Sequence, residues 1–293
     1  MAIEKAMGSI SQQRTNQARV TGMPSGLYDL DQVIDGLQPG NLYVVAGRPG
    51  MGKTNFILSV LAAAAVKQNK SVALYSTTTD SSALPLRLLA QIATVPIRAL
   101  RTGELDELQW DELQMAARSL SEAALQVTES SEVQSLRLQQ CAKSAFKQHH
   151  RLDLFVVDGL QRFSTMLSNP EFWHEKTLHP KDQVTVDIEA LLQELKVMAV
   201  EFDCPVVMTW QLGPEIDQRM SKRPTIADLH MTEIMEDAVD SVMLLFREDV
   251  YRVDEEWDAM AELIIARNRN GATGSVRLAY EGQYCRMRTM SSA

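Results

Sequence analysis

Apolar runs and turn signals alternate along the middle of the chain. Leu42-Tyr43-Val44-Val45-Ala46, entered from the turn cluster Gly36–Gly40 through Asn41, reads as a strand buried on both faces. Phe56–Val66 is Ala-rich and predicts a helix, and Ser71–Ser76 predicts a second strand. Helical patterns follow over Leu84–Ala93, Glu107–Ala124 and Val133–His149. Leu152–Asp158 is another buried strand, and it ends on a carboxylate. Val184–Phe202 predicts a long helix and Pro205–Trp210 a strand. Ser241–Phe246, Ala261–Arg267 and Ser275–Tyr280 read as strands, the last two joined by an Asn/Gly-rich turn. Leu167–Lys181 and Ser221–Met231 read as loops. Strands alternate with helices and then close as hairpins. The expected fold is α/β, a mainly parallel sheet flanked by helices with antiparallel strands at one edge. No internal repeat interrupts this order, so residues 21–290 are expected to form one domain. Residues 1–20 are polar, with Ile3, Met7 and Ile10 at helical spacing, and predict a short linker or docking segment.

Composition narrows the function classes. The chain has 293 residues and a formal charge of −9, which excludes a generally basic nucleic-acid coat. Any contact with nucleic acid must come from a local patch. Cys141, Cys204 and Cys285 match neither a zinc pattern nor a disulfide framework and read as small buried residues. The longest apolar stretch is too short to span a bilayer, and no secretory signal is visible, so no membrane partner and a reducing cytoplasm are expected.

The sharpest chemistry lies after the first strand. Gly47-Arg48-Pro49-Gly50-Met51-Gly52-Lys53-Thr54 fits the phosphate-loop pattern without a mismatch, between a buried strand and a helix. Such a loop wraps phosphates with its backbone N–H groups, and the next helix presents its positive end to the same anion. The expected nucleotide contacts are Gly47, Arg48, Pro49, Gly50, Met51, Gly52, Lys53, Thr54 and Asn55. Lys53 reaches the outer phosphates, and Thr54 and Asp158 hold Mg²⁺, so ATP and Mg²⁺ are the expected cofactors.

The ordered motifs resemble the C-terminal motor domain of the DnaB-like replicative ring helicases, which has a RecA-like core. The resemblance spans roughly residues 20–288. It rests on Thr21-Gly22, Ser25-Gly26, Asp29-Leu30-Asp31, Gly36-Leu37-Gln38-Pro39 and the phosphate loop. It continues with Arg101-Thr102-Gly103-Glu104-Leu105, Asp158-Gly159-Leu160-Gln161, Gln211-Leu212 and Lys222-Arg223-Pro224. It closes on Ile264-Ile265-Ala266-Arg267-Asn268-Arg269-Asn270-Gly271. It implies a hexameric ring that hydrolyses ATP between subunits, translocates on single-stranded DNA and works with replication or loader proteins. It also implies that Gln211 senses the γ-phosphate and that Arg269 is an arginine finger acting on the neighbouring subunit. Arg267 stands where the family commonly has a lysine that also reaches across.

Three departures temper this. The family carries a separate primase-binding domain ahead of the motor, where this chain has residues 1–20; Ile3-Glu4-Lys5 matches the end of its linker helix. The family's water-activating Glu is replaced by Thr78 in Ser76-Thr77-Thr78-Thr79-Asp80. Loss of a general base costs roughly 10²–10⁴-fold, and Asp80, facing the same way two residues on in an extended strand, is the candidate displaced base. The DNA-facing loop reads Asp228-Leu229-His230-Met231-Thr232-Glu233, with His230 in place of an Arg and Glu233 in place of a Gly, which weakens a grip on phosphates. Lys222 and Arg223 remain basic nearby. Phe172 and Trp173 sit in an insertion and are candidates for base stacking or partner docking; His174 and His179 beside them lack a third metal ligand.

The leading expectation is an ATP-driven DNA helicase or translocase. A nucleotide-binding scaffold or regulator with weak hydrolysis is the second reading, and a recombinase-like or clock-protein-like relative of the superfamily the third. They separate by DNA-stimulated turnover in a hexamer, ATP binding without turnover, and filaments on DNA.

Overall fold

A computed structural model describes Met7 and residues 20–77, 83–130, 134–159, 180–229, 231, 233–252 and 259–290 of the chain. Among the described residues nine strands form one sheet in the order β3-β2-β4-β5-β1-β6-β7-β8-β9. They are β1 (Leu42–Gly47), β2 (Val72–Ser76), β3 (Leu125–Glu129), β4 (Leu154–Asp158), β5 (Val206–Gln211), β6 (Ser241–Phe246), β7 (Met260–Asn268), β8 (Gly274–Glu281) and β9 (Arg286–Thr289). The first six strands of that order are mutually parallel. β7, β8 and β9 add antiparallel at one edge, as the hairpin-like end of the sequence predicts.

The helices are α1 (Tyr28–Ile34), α2 (Lys53–Ala62), α3 (Ala83–Ala93), α4 (Ile97–Thr102), α5 (Glu107–Glu122), α6 (Ser135–His149), α7 (Pro180–Glu201) and α8 (Glu233–Ala238). A π-helical turn over Ala63–Lys67 continues α2, so the predicted Ala-rich helix changes its winding before it stops. Two cores flank the sheet because β1 is buried on both faces. Leu42, Val44 and Ala46 join the core under α6 and α7, whereas Tyr43 and Val45 join the core under α1 and α2. The alternation of one strand thus divides the molecule into layers. All three cysteines are free and buried, as expected, and burial pushes the Cys204 thiol up to about 12.

Five helices and strands depart from the sequence reading: α1, β3, α4, α8 and β9 were not predicted. β3 is a half-buried edge strand with only two apolar residues, α4 has six residues, and β9 alternates charge with Met287. Among the described residues no helix is long and apolar enough to cross a membrane. The predicted helix at Ile3–Ile10, the loop through Phe172, Trp173, His174 and His179, and the segment with Thr78 and Asp80 lie outside the described residues, apart from Met7.

Candidate active site

The carboxyl ends of β1, β4 and β5 meet at one edge of the parallel sheet. β1 delivers Gly47, and the loop turns into α2 through Gly50 and Gly52, both with positive φ. A Cβ on Gly47 would sit 2.8 Å from the Leu245 carbonyl oxygen, and one on Gly52 would sit 2.8 Å from the Met287 side chain. These two glycines let the loop close against β6 and β9.

Lys53 opens α2 and is only 9% exposed. Its Nζ folds back over the loop and donates to the carbonyls of Gly47 at 2.8 Å and Arg48 at 3.1 Å. Burial lowers its pKa to about 8; the nearby Asp158 carboxylate opposes that shift, and the Arg48 charge adds to it. Among the described residues the hydrogen-bond partners of Lys53 are these carbonyls alone, and a buried cation held by carbonyl dipoles suits an incoming anion.

Thr54 Oγ1 donates to Asp158 Oδ2 at 3.0 Å. The other carboxylate oxygen accepts from Thr209 Oγ1 at 2.7 Å, and Thr209 Oγ1 accepts from the Gly159 N–H. The hydroxyl and carboxylate therefore stand side by side, a hard oxygen pair of the kind Mg²⁺ takes together with substrate phosphates. Among the described residues no group of three or more His, Cys, Asp or Glu gathers as an all-protein metal cage. Thr54 and Asp158 together offer two oxygen donors, a number that suits a phosphate-bound Mg²⁺.

Gln211 ends β5 opposite Gly47 and is exposed. The next residue locks the register, its N–H donating to the Gly47 carbonyl at 3.2 Å. Arg48 Nη1 donates in turn to the Leu212 carbonyl at 2.8 Å.

Beside the first turn of α2 lies a cavity of about 380 Å³, lined also by Arg87, Arg101, Tyr280 and Cys285. Asn55 Nδ2 donates to Tyr280 Oη at 3.2 Å. The Arg247 guanidinium lies 3.6 Å from the centroid of the Tyr280 ring and donates to the Gly50 carbonyl. Sequence reasoning missed Thr209, Arg87, Arg247 and Tyr280 as site residues. Arg101 stood in a quoted motif without a role. Sheet order brings Arg247 and Tyr280 to the loop, and local motifs carry no signal for that.

Arg267 and Arg269 are not brought to this cavity. β7 runs antiparallel to β6, so Asn268 pairs with Ser241, which in turn pairs with Tyr43 at the start of β1. The two arginines therefore stand at the amino end of β1. Five residue steps, roughly 17 Å at about 3.3 Å per residue, separate the two ends of that strand. Arg269 donates to the Asp237 carbonyl at 2.8 Å and to Asp240 at 3.3 Å, and Arg267 meets Glu236 at 3.5 Å. Asp240 is 2% exposed and also accepts from the Leu42 N–H and from Lys196.

Near the expected DNA-facing loop, Lys222 and Arg223 already have partners in the same chain. Lys222 donates to the carbonyls of Asp217 and Arg219, and Arg223 grips Glu262 with two hydrogen bonds. Glu233 begins α8 and is exposed; His230 lies outside the described residues.

Known proteins are similar to this chain over most of its length. The sequence model described as "DnaB-like helicase C terminal domain" matches residues 22–289. The replicative DNA helicase DnaB of Haemophilus influenzae is 33% identical over 273 residues, covering 92% of this chain and 56% of its own. The replicative DNA helicase DnaB of Geobacillus stearothermophilus is 32% identical over 278 residues, covering 94% of this chain and 58% of its own. The chain thus spans a little over half the length of these curated relatives. Among solved structures, the ATPase domain of G40P superposes with a TM-score of 0.83 at 24% identity, covering 99% of each chain. A DnaB-like replicative helicase, solved in a study of its interactions with primase, superposes with a TM-score of 0.81 at 23% identity, covering 98% of this chain and 67% of its own.

Proposed function

The chain belongs to the DnaB-like helicase C-terminal domain family, and from that premise we propose that residues 21–290 are an ATP-driven motor that assembles as a ring and translocates on single-stranded DNA in replication, with residues 1–20 as a docking segment. The observation that carries this reading is the pairing of buried Lys53, bonded to the carbonyls of Gly47 and Arg48, with the Thr54–Asp158 contact beside it. Lys53 swings from Gly47 and Arg48 onto the outer phosphates. Thr54 and Asp158 hold Mg²⁺, which supplies charge neutralisation on the phosphates when bound. The N–H groups of the loop and the first turn of α2 surround the phosphates, and Gln211 faces the outermost one.

The nucleoside enters the cavity between Asn55 and the Arg87–Arg101 side, with the Arg247–Tyr280 stack as an aromatic and cationic wall. Arg269 and Arg267 serve a neighbouring chain. Their place at the opposite end of β1 supports this, because neither reaches the phosphate loop of its own chain. Guanidinium groups supplied in this way stabilise charge on a transferring phosphoryl group.

Thr78 favours a second reading, a nucleotide-binding member of such a ring with weak or no hydrolysis, because a threonine hydroxyl does not accept a proton near neutral pH. In the motor reading Asp80 replaces the missing base. Steady-state ATP turnover with and without single-stranded DNA, on protein of checked oligomeric mass, decides between them. The motor reading expects DNA-stimulated turnover in a ring, lost in Lys53→Ala. Tight ATP binding without turnover sinks the motor and leaves the scaffold; no nucleotide binding sinks both.

A further inference from the structure

The nucleotide site uses the backbone of Arg48, yet its side chain turns elsewhere. Nη1 holds the Leu212 carbonyl next to Gln211, while Nε donates to Asp217 Oδ2 at 3.1 Å and Nη2 grips the same oxygen. The other oxygen of Asp217 accepts from Tyr251 Oη at 2.9 Å. Arg48 beside it holds the Asp217 carboxyl well below the usual carboxylate range. Asp217 sits in a short 3-10 turn, Pro214–Gln218, pinned to the core by Ile216.

The contacts continue from there. The Asp217 carbonyl accepts from Lys222, whose ammonium also caps the Arg219 carbonyl. Arg219 Nη2 donates to Asp228 Oδ2 at 2.9 Å, and Asp228 accepts the Thr225 N–H at 2.7 Å. Asp228 lies in the turn Ile226–Leu229, directly ahead of residues 230–232. An unbroken series of charged contacts therefore runs from the phosphate loop to the root of the segment that the family resemblance turns toward DNA.

We propose that Asp217 is a positioning residue that couples occupancy of the phosphate loop to the turn Ile226–Leu229, so that nucleotide and DNA change each other's affinity through it. This rests on the nucleotide and DNA reading given above. A phosphate that draws Lys53 off the Gly47 and Arg48 carbonyls shifts the loop strand that carries Arg48. Arg48 passes the shift to Asp217, and Lys222 and Arg219 pass it to Asp228. Asp217 is itself well exposed, and exposed ion pairs contribute little to stability, so a variant there stays folded.

The test compares the wild-type chain, Asp217→Asn and Asp217→Glu. A fluorescent non-hydrolysable ATP analogue with Mg²⁺ and a labelled oligothymidylate are titrated, each with and without a saturating amount of the other. Linkage requires the two ratios to be equal, and coupled sites commonly differ by about 5–150-fold. The wild type is expected in that range. Asp217→Asn is expected to bring both ratios close to one while nucleotide affinity alone changes by less than about twofold; Asp217→Glu restores part of the ratio. An Asn variant that keeps the wild-type ratio overturns the proposal. So does one that loses nucleotide affinity itself, since Asp217 would then serve the phosphate site directly. Amide exchange of ligand-free protein separates this from the functional reading. Replacing Asp217 by Asn is expected to speed exchange at both 48–52 and 219–229, and unchanged exchange at 219–229 overturns the coupling whether or not the protein binds DNA.

Discussion

The two ends of β1 handle positive charge in opposite ways. At the carboxyl end Lys53 is buried and bonded to two carbonyl oxygens, with Arg87, Arg101 and Arg247 around the adjoining cavity. At the amino end Lys196 and Arg269 share the buried Asp240, and Arg267 meets Glu236. Under the proposed reading the first end holds its charge for an incoming phosphate. The second neutralises its charge internally, and its guanidinium groups act elsewhere only by exchanging one anionic partner for another. Two groups of basic residues at opposite ends of one strand thus differ in kind, and the partner set distinguishes them where residue type does not.

The largest effect that tests this contrast is expected from Lys53→Ala. Turnover should be lost outright, because the nucleotide is no longer held and the charge aimed at the outer phosphates is gone, and filter binding with labelled ATP should show the accompanying loss of affinity. Unchanged binding would mean that the carbonyl-held lysine is merely a buried residue.

Next comes Arg269→Ala. Nucleotide affinity should hold, and DNA-stimulated turnover should drop by about 10³-fold or more. The contrast sharpens in a mixture: Lys53→Ala and Arg269→Ala chains combined should recover part of the turnover, since each supplies the end that the other lacks. Absence of recovery in mixed oligomers confirmed by mass would break the division of labour.

Asp240→Ala should act on stability instead. Leaving Lys196, Arg269 and the Leu42 N–H without their shared carboxylate should cost about 3 kcal/mol in chemical denaturation, with nucleotide affinity unaltered. A drop in affinity equal to that of Lys53→Ala would erase the distinction between the two ends.

The smallest effect is a pH dependence. The Lys53 pKa of about 8 means that the ammonium form is present below that value and is lost above it. A bound phosphate favours the ammonium, so binding takes up a proton and affinity weakens as pH rises. Between pH 7.5 and 9 the apparent affinity should fall about eightfold, and Lys53→Arg should flatten that slope. An equally steep slope in the Arg variant would move the titration to another group.

What the sequence revealed divides along similar lines. β1, β2 and β4 through β8 were legible because burial on one or both faces writes itself as apolar runs. β3 was not, since Leu125-Gln126-Val127-Thr128-Glu129 lies at a sheet edge and buries too little to show a period. The phosphate loop was legible as one contiguous motif, and Asp158 because its strand is apolar to the last residue. Thr209, Arg247 and Tyr280 were not, because each reaches the site through strand order, loop path or hairpin return. The partner of Arg223 was hidden for the same reason: Glu262 is far along the chain.

The placement of the phosphate loop and the paired arginines at opposite ends of one strand has an arithmetic consequence under the proposed reading. Each chain supplies one half of a site at either end, so assembly is head to tail. An open row of such chains completes one site fewer than it has members, and a lone chain completes none. Closing the row creates the missing site. Catalytic output per chain therefore reports closure itself, and dilution to single chains should extinguish it while every chain still binds nucleotide.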